Sequence, residues 1–248
     1  MTEIEQMLNM SYDECCNFLK QKYGSVKKNF FSNEHCRSKT SGISRGATDG
    51  LQIHHIDEDK ALALSNAKSA TQYPFEYQLA DRLVYCNLLE HLVLHIKIVE
   101  YPHPDRLDPN VGIPGMVSII IPQLNDIYSN MQYKRDYYIK LAEVVKDQKE
   151  NYFKCLKYLY NLEVNDTHKT PYSKNNSNLI YKQPNMYFWN YERTRDKEPV
   201  VIELHKEIAN YLNISEKEYQ KCKQGLVLIK KKNWFLNLFD KLFRIFKS

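Results

Sequence analysis

The 248-residue sequence predicts an α+β protein in which two short strands and one helix are embedded in a mainly helical chain. The first strand is predicted where the apolar residues Leu51 and Ile53 alternate with polar ones. The second is predicted over residues 82–86, which include Val84 and Tyr85. Most of the remaining segments repeat apolar residues at helical spacing, which predicts helices.

Capping residues and prolines place the ends of the predicted helices. Asn87, followed three residues later by Glu90, has the spacing of a capping box that begins a helix. We expect this helix to end near Tyr101, because Pro102 and Pro104 cannot continue it. Further helices are predicted over residues 2–23, 133–162, 199–212 and 215–222, and an apolar segment broken by Pro122 is predicted over residues 116–128.

The chain divides by pattern into two regions. Residues 1–105 contain an N-terminal helix, a basic arm and the strand–strand–helix unit, and residues 106–248 are helical and end in an amphipathic tail. A cytoplasmic protein is expected, because the sequence has neither a long apolar run nor the layout of a secretion signal. Six scattered cysteines without a C-x-x-C pair argue against disulfides or a zinc ribbon. The seven glycines form no phosphate-binding loop, so no nucleotide cofactor is expected.

Four of the eight histidines lie within the strand–strand–helix unit. His54 and His55 are adjacent at the end of the first strand, and His91 and His95 are four residues apart, which places them on one helix face. Three neutral imidazoles can hold a divalent transition metal, which leaves a fourth for proton transfer. Because consecutive strand residues point to opposite faces, the strand has to end or bend at His54 and His55 for both to face one site.

This order of strand, His-His pair, strand and H-x-x-x-H helix resembles the HNH nuclease superfamily with its ββα-metal finger, and most closely the colicin-type DNase arrangement. The resemblance covers about a fifth of the chain, residues 50–98. It implies that His54, His91 and His95 bind one divalent metal ion (Mg²⁺, Mn²⁺, Ni²⁺ or Zn²⁺) and that His55 is the general base. It also implies metal-dependent hydrolysis of phosphodiester bonds, with DNA as the expected substrate.

The sequence departs from the HNH pattern at its middle asparagine. That position, nine residues before His91, is Arg82, so Asn66 and Asn87 are the two candidates for the asparagine's bracing role. A zinc protease is a poorer match, because the helix lacks the glutamate of H-E-x-x-H after His91.

A basic arm precedes the first strand. Residues 20–46 carry seven lysines and arginines against one acidic residue, Glu34. Such a stretch suits phosphate contacts, although an ordinary solvated basic face has the same composition. The residues predicted to contact DNA phosphates are Lys27, Lys28, Lys39, Arg45 and Arg82.

The C-terminal tail forms a one-sided apolar pattern over residues 234–246, surrounded by lysines and an arginine. This pattern is typical of a helix that lies on an anionic membrane surface, and equally of one that packs on a protein partner or on its own core. Two alternatives to a nuclease therefore stay open. The chain could be a non-catalytic DNA-binding module with a structural metal, or a peripheral membrane protein that acts through this tail.

Overall fold

Two short antiparallel strands form the sheet of the computed structural model, which describes residues 1–108, 111–165 and 198–220. Strand β1 (Gln52–His55) pairs with β2 (Leu83–Cys86), with His54 opposite Val84. All of β2 is buried. Its alternate residues face two different cores, because successive strand side chains point to opposite faces.

Helix α5 (Leu88–Glu100) follows β2 directly and is enclosed by other helices. Asn87 accepts hydrogen bonds from the backbone N–H groups of Leu89 and Glu90, and the Glu90 carboxylate accepts one from the backbone N–H of Asn87. The predicted capping box is therefore confirmed. Every residue of α5 except His91 is buried, including the polar residues Glu90, His95, Lys97 and Glu100.

The other elements surround this unit. The helices before α5 are α1 (Glu3–Leu8), α2 (Tyr12–Tyr23), α3 (Gly46–Asp49) and α4 (Ala67–Ala70). Those after it are α6 (Ile113–Gly115), α7 (Ile121–Tyr128), α8 (Asp136–Val145), α9 (Lys149–Asn165) and α10 (Pro199–Tyr211). Short 3₁₀ turns cover Ile56–Asp59, Phe75–Gln78 and Ala80–Arg82. The α+β class is thus confirmed at the level of a mainly helical chain with one small sheet.

Two predicted helices are each divided in two. The prediction over residues 2–23 missed the break between α1 and α2, where Ser11 caps the second helix and Glu14 bonds back to the Ser11 backbone. The prediction over residues 133–162 missed the break between α8 and α9. In both places the apolar stripe continues across the break, so periodicity alone does not show it.

We predicted that Pro122 breaks the apolar segment over residues 116–128, but the helical backbone continues through it. A π-helical turn over Met116–Ile120 leads directly into α7, and Pro122 lies within the first turn of that helix. The proline lies where the π-helical turn passes into α7, and its restricted φ angle is compatible with helical backbone. Ser215 and Glu218 form the predicted capping box. The tail over residues 234–246 lies outside the described residues.

One large core joins the two regions predicted from the sequence. It contains α1 and α5 residues together with residues of α7, α9 and α10. A smaller core packs the basic arm against the strands through Phe30, Phe31 and Leu83. Of the helices in the described part of the chain, none combines the length and the apolar character that a membrane span requires.

Candidate metal centre

The end of β1 and the first half of α5 bring three of the predicted residues together. Strand β1 ends at His55, and a 3₁₀ turn over Ile56–Asp59 reverses the chain, which confirms the predicted bend. One ligand atom from each of His54, Glu58, His91 and His95 lies within 4.8 Å of the others, so these four residues, the histidine cluster, could hold a metal ion. His54 and His95 are buried, whereas Glu58 and His91 are partly exposed.

Tyr12 of α2 fixes the proton position on His54. The Tyr12 hydroxyl donates a hydrogen bond to the backbone carbonyl of Ile56 at 2.7 Å, and it also lies 2.7 Å from His54 Nε2. Because the hydroxyl proton is committed to the carbonyl, Nε2–H of His54 donates to the Tyr12 oxygen. The lone pair of His54 is therefore on Nδ1, which has no hydrogen-bond partner among the described residues.

The two histidines of α5 are fixed in a similar way. His95 Nδ1 lies 2.6 Å from the backbone carbonyl of Gly112, and His91 Nδ1 lies 2.7 Å from Oε1 of Gln52. Both Nδ1 atoms donate to these oxygens, which leaves the lone pairs on the Nε2 atoms. Gly115 makes room for the His95 ring, because a Cβ at this position would lie only 2.8 Å from His95 Cε1.

The lone pairs of the cluster face one another. His91 Nε2 and His95 Nε2 are 3.2 Å apart, and His54 Nδ1 is 3.3 Å from Oε2 of Glu58. Two acceptors at such a distance repel each other unless a proton or another cation lies between them. Burial lowers the pKa of His54 and, together with the neighbouring His95 and His54, lowers that of His91 well below its ordinary value, so both imidazoles are neutral at pH 7 and suited to bind a metal.

Glu58 is the member of the cluster that the sequence prediction missed. Its Oε2 lies 3.4 Å from His95 Nε2 as well as near His54, and its Oε1 lies 3.7 Å from His55 Nδ1. Burial raises the pKa of this carboxyl, whereas hydrogen bonds from protonated imidazoles would lower it. Because the lone pairs of neutral imidazoles cannot donate to Glu58, the carboxylate needs a cation among these atoms to stay ionised. Its spacing of four residues after His54 is the only local signal, and it points to the site only once the strand is known to end at His55.

His55 lies beside the cluster and outside the set of four. Its Nε2–H donates to Oε1 of Gln78 at 3.0 Å, since the Gln78 amide nitrogen is committed to the Leu64 carbonyl. The His55 lone pair is therefore on Nδ1, which faces Glu58 and has no hydrogen-bond partner within residues 1–108, 111–165 and 198–220. The ring packs against Phe30 with centroids 4.5 Å apart, and the side chain is 0% exposed.

No protein-family model, no curated protein and no solved structure matches this chain. The chemistry of the site therefore has to follow from its own atoms.

The predicted phosphate-contacting residues fall into two groups. Lys27, Lys28 and Lys39 are exposed. Arg45 instead pairs with Asp49, donates to the Tyr23 carbonyl and lies over the Tyr85 ring. Arg82 binds both carboxylate oxygens of the buried Asp57, at 2.8 and 2.6 Å.

The bidentate pair of Arg82 with Asp57 braces the turn that carries Glu58. Arg82 is the residue at the position where the resemblance led us to expect an asparagine, and here its guanidinium group pairs with Asp57. Asn66 and Asn87, the two candidates for this role, instead cap helices α4 and α5.

Proposed function

We propose that this protein is a metal-dependent nuclease of the HNH type, which hydrolyses phosphodiester bonds with DNA as substrate. The observation that carries the proposal is the tautomer pattern around Glu58. Four imidazoles each donate their one N–H to a fixed acceptor. The lone pairs of His54, His91 and His95 converge on one place, and that of His55 faces the other oxygen of Glu58. Such outer acceptors are typical of metal-binding histidines, because they orient the ring and keep the ligand atom unprotonated.

His54 Nδ1, His91 Nε2 and His95 Nε2 are the atoms that would hold the ion. A divalent ion bound there would supply Lewis-acid stabilisation of the negative charge that develops on phosphate oxygens. Imidazole donors favour Zn²⁺ or Ni²⁺ over Mg²⁺, which prefers oxygen ligands. In this proposal β1, β2 and α5 would be the two strands and the helix of a ββα-metal finger, and their order along the chain supports it.

His55 is the proposed general base. Gln78 accepts the proton of His55 Nε2, and this leaves Nδ1 free to take a proton from an attacking water. A neutral imidazole suits this task because histidine is the side chain that most often transfers protons in catalysis. Gln78 is thus a positioning residue, held in turn by the Leu64 carbonyl.

The basic arm is the proposed DNA-contacting surface. Phe30 packs against His55 on one side, and Lys39 Nζ lies 4.9 Å from the centre of the same Phe30 ring. This arrangement places an exposed cation near the proposed base. Phosphate contacts by lysines give sequence-independent affinity that falls with salt. Lys27, Lys28 and Lys39 are the stronger candidates here, because Arg45 and Arg82 already pair with carboxylates.

Conversion of supercoiled plasmid by the purified full-length protein tests this proposal. Cleavage is expected with at least one of Mg²⁺, Mn²⁺, Ni²⁺ and Zn²⁺, and it should stop when a chelator is added. The Lys39→Ala variant should cut more slowly and bind DNA with a shallower salt dependence than wild type, whereas Lys68→Ala, a lysine on α4 outside the basic arm, should not. A protein that never cuts, whatever the metal, would contradict the nuclease.

A second candidate is a non-catalytic DNA-binding module in which the metal is structural. Two observations favour it: the cluster offers four protein ligands, which is the number of a closed structural zinc site, and His55 is 0% exposed. For this candidate, metal removal should lower thermal stability and DNA binding together, and no metal should produce cleavage.

A further inference from the structure

Glu58 and His91 are the partly exposed members of the histidine cluster. The Glu58 side chain is 16% exposed, compared with 0% for His54 and 5% for His95. The carboxylate also lies between two sets of atoms, because Oε2 faces the nitrogens of His54 and His95 while Oε1 faces His55 Nδ1. Glu58 therefore stands between the metal-binding nitrogens and the lone pair of His55.

The number of protein ligands decides whether a metal site is closed or keeps an open position, and Glu58 would be the fourth ligand here. Three imidazoles and one carboxylate complete the tetrahedral shell of a structural zinc site, whereas catalytic sites keep three protein ligands and one open position. Glu58 thus occupies the position that a reacting oxygen would need. A carboxylate binds a metal ion through an anionic oxygen, so the anionic oxygen of a phosphate could take its place in the same position.

We propose that Glu58 is an exchangeable fourth ligand, which closes the metal site at rest and is replaced by a phosphate oxyanion. This inference rests on the metal site of the proposed function, although it does not require cleavage. The backbone around Glu58 can stay fixed during the exchange, because Arg82 and Lys60 both hold the neighbouring Asp57. Only the Glu58 side chain has to rotate.

The exchange can be measured with Co²⁺ in the full-length protein, since four-coordinate Co²⁺ absorbs visible light much more strongly than six-coordinate Co²⁺. Wild type should give strong bands that shift when inorganic phosphate or dimethyl phosphate is added. In Glu58→Gln the bands should weaken several-fold, because more than one water then replaces the carboxylate and the coordination number rises. The phosphate concentration at half-shift should also fall by about tenfold, equal to about 1.4 kcal/mol, because no carboxylate competes.

Asp59→Asn is the matched control, because it removes a neighbouring buried carboxylate that is not part of the cluster. It should leave both the spectrum and the phosphate titration as in wild type. Glu58→Asp is a second variant that keeps the charge but shortens the reach, and its band intensity should fall between wild type and Glu58→Gln. A shift with dimethyl phosphate shows that the site accepts a diester, and a shift with inorganic phosphate alone limits the exchange to the free anion.

Two results would overturn the inference separately from the nuclease. Bands in Glu58→Gln identical to those of wild type would show that Glu58 is not a ligand. If neither phosphate shifts the wild-type bands but both shift those of Glu58→Gln, Glu58 is a permanent ligand that does not exchange. Failure of the wild type to bind Co²⁺ would instead remove the metal site itself, and with it the basis of both proposals.

Discussion

Helix α5 carries two buried polar groups that differ in how their atoms are satisfied. The first, the lysine cluster, consists of Lys97, Glu100, Tyr158 and the carbonyl of Leu8. Lys97 Nζ donates to the Leu8 carbonyl and to Glu100 Oε2, both at 2.6 Å, and to the Tyr158 hydroxyl at 3.0 Å. The Tyr158 hydroxyl donates in turn to Glu100 Oε1 at 2.7 Å. The three ammonium protons therefore have three acceptors.

The histidine cluster, at the other end of the same helix, is not satisfied in this way. Each imidazole donates its N–H outward, and the inward-facing atoms of the cluster are all acceptors. Burial of unpaired acceptors costs free energy, so such a group is stable only when a cation joins it. The comparison shows that burial and polarity alone do not mark a functional site. The decisive property is whether the hydrogen bonds within the group already use every lone pair and proton.

The largest effect is expected at His55, which lies outside both clusters. His55→Ala should retain metal and fold but cut plasmid about 10²–10⁴-fold more slowly, the usual loss on removal of a general base. Single-turnover cleavage rates and metal content by atomic absorption measure the two properties. His103→Ala, a partly exposed histidine outside both the histidine cluster and the basic arm, is the control and should cut like wild type. Wild-type cleavage by His55→Ala would contradict the proposed mechanism.

Lys97→Met should lower the stability of the protein in a way that does not depend on metal. Loss of one partner leaves Glu100 buried without its cation, so the free energy of unfolding should fall by about 3–5 kcal/mol. Urea denaturation should give the same loss with and without chelator. The double variant Lys97→Met/Glu100→Leu should recover part of it, because no charge is then left unpaired. A loss that disappears when metal is removed would show that the two clusters are coupled.

His91→Ala should abolish the stabilisation that metal gives. A metal present at 100 times its Kd stabilises the wild type by about 2.7 kcal/mol, and the variant should show no such gain. Thermal melts of both proteins in chelator and in Zn²⁺ provide the measurement, with His103→Ala again as control. An equal Zn²⁺-dependent rise in Tm for His91→Ala would remove this histidine from the ligand set.

The smallest effect is expected from the hydroxyl of Tyr12. Tyr12→Phe keeps the ring but frees the N–H of His54, and metal affinity should fall about 10–100-fold, as is usual for an outer partner of a ligand. Competition with a chromophoric chelator gives the Kd. Tyr158→Phe, which removes one hydroxyl from the lysine cluster, is the matched control. It should lower stability by about 1–3 kcal/mol and leave the metal Kd unchanged.

Local signals in the sequence account for the parts that could be predicted. The Asn87–Glu90 capping box begins α5, and the spacing of His91 and His95 places both on one face of it. Ser11 and Glu14 form a capping box of the same kind, and their spacing in the sequence marks the start of α2. Such features are readable because their residues interact within one turn of the chain.

The sequence by itself therefore determined the helix, the end of the strand and the set of histidines. The tertiary structure alone decided which nitrogen of each imidazole is free, because the acceptors come from distant positions: Tyr12 is 42 residues from His54, and Gln52 is 39 residues from His91. The tertiary structure also brought Glu58 next to the three histidines and paired Arg82 with Asp57. The reason is physical: helical periodicity and capping depend on neighbours in the chain, whereas the proton position on a buried imidazole depends on whichever acceptor packing brings to its edge.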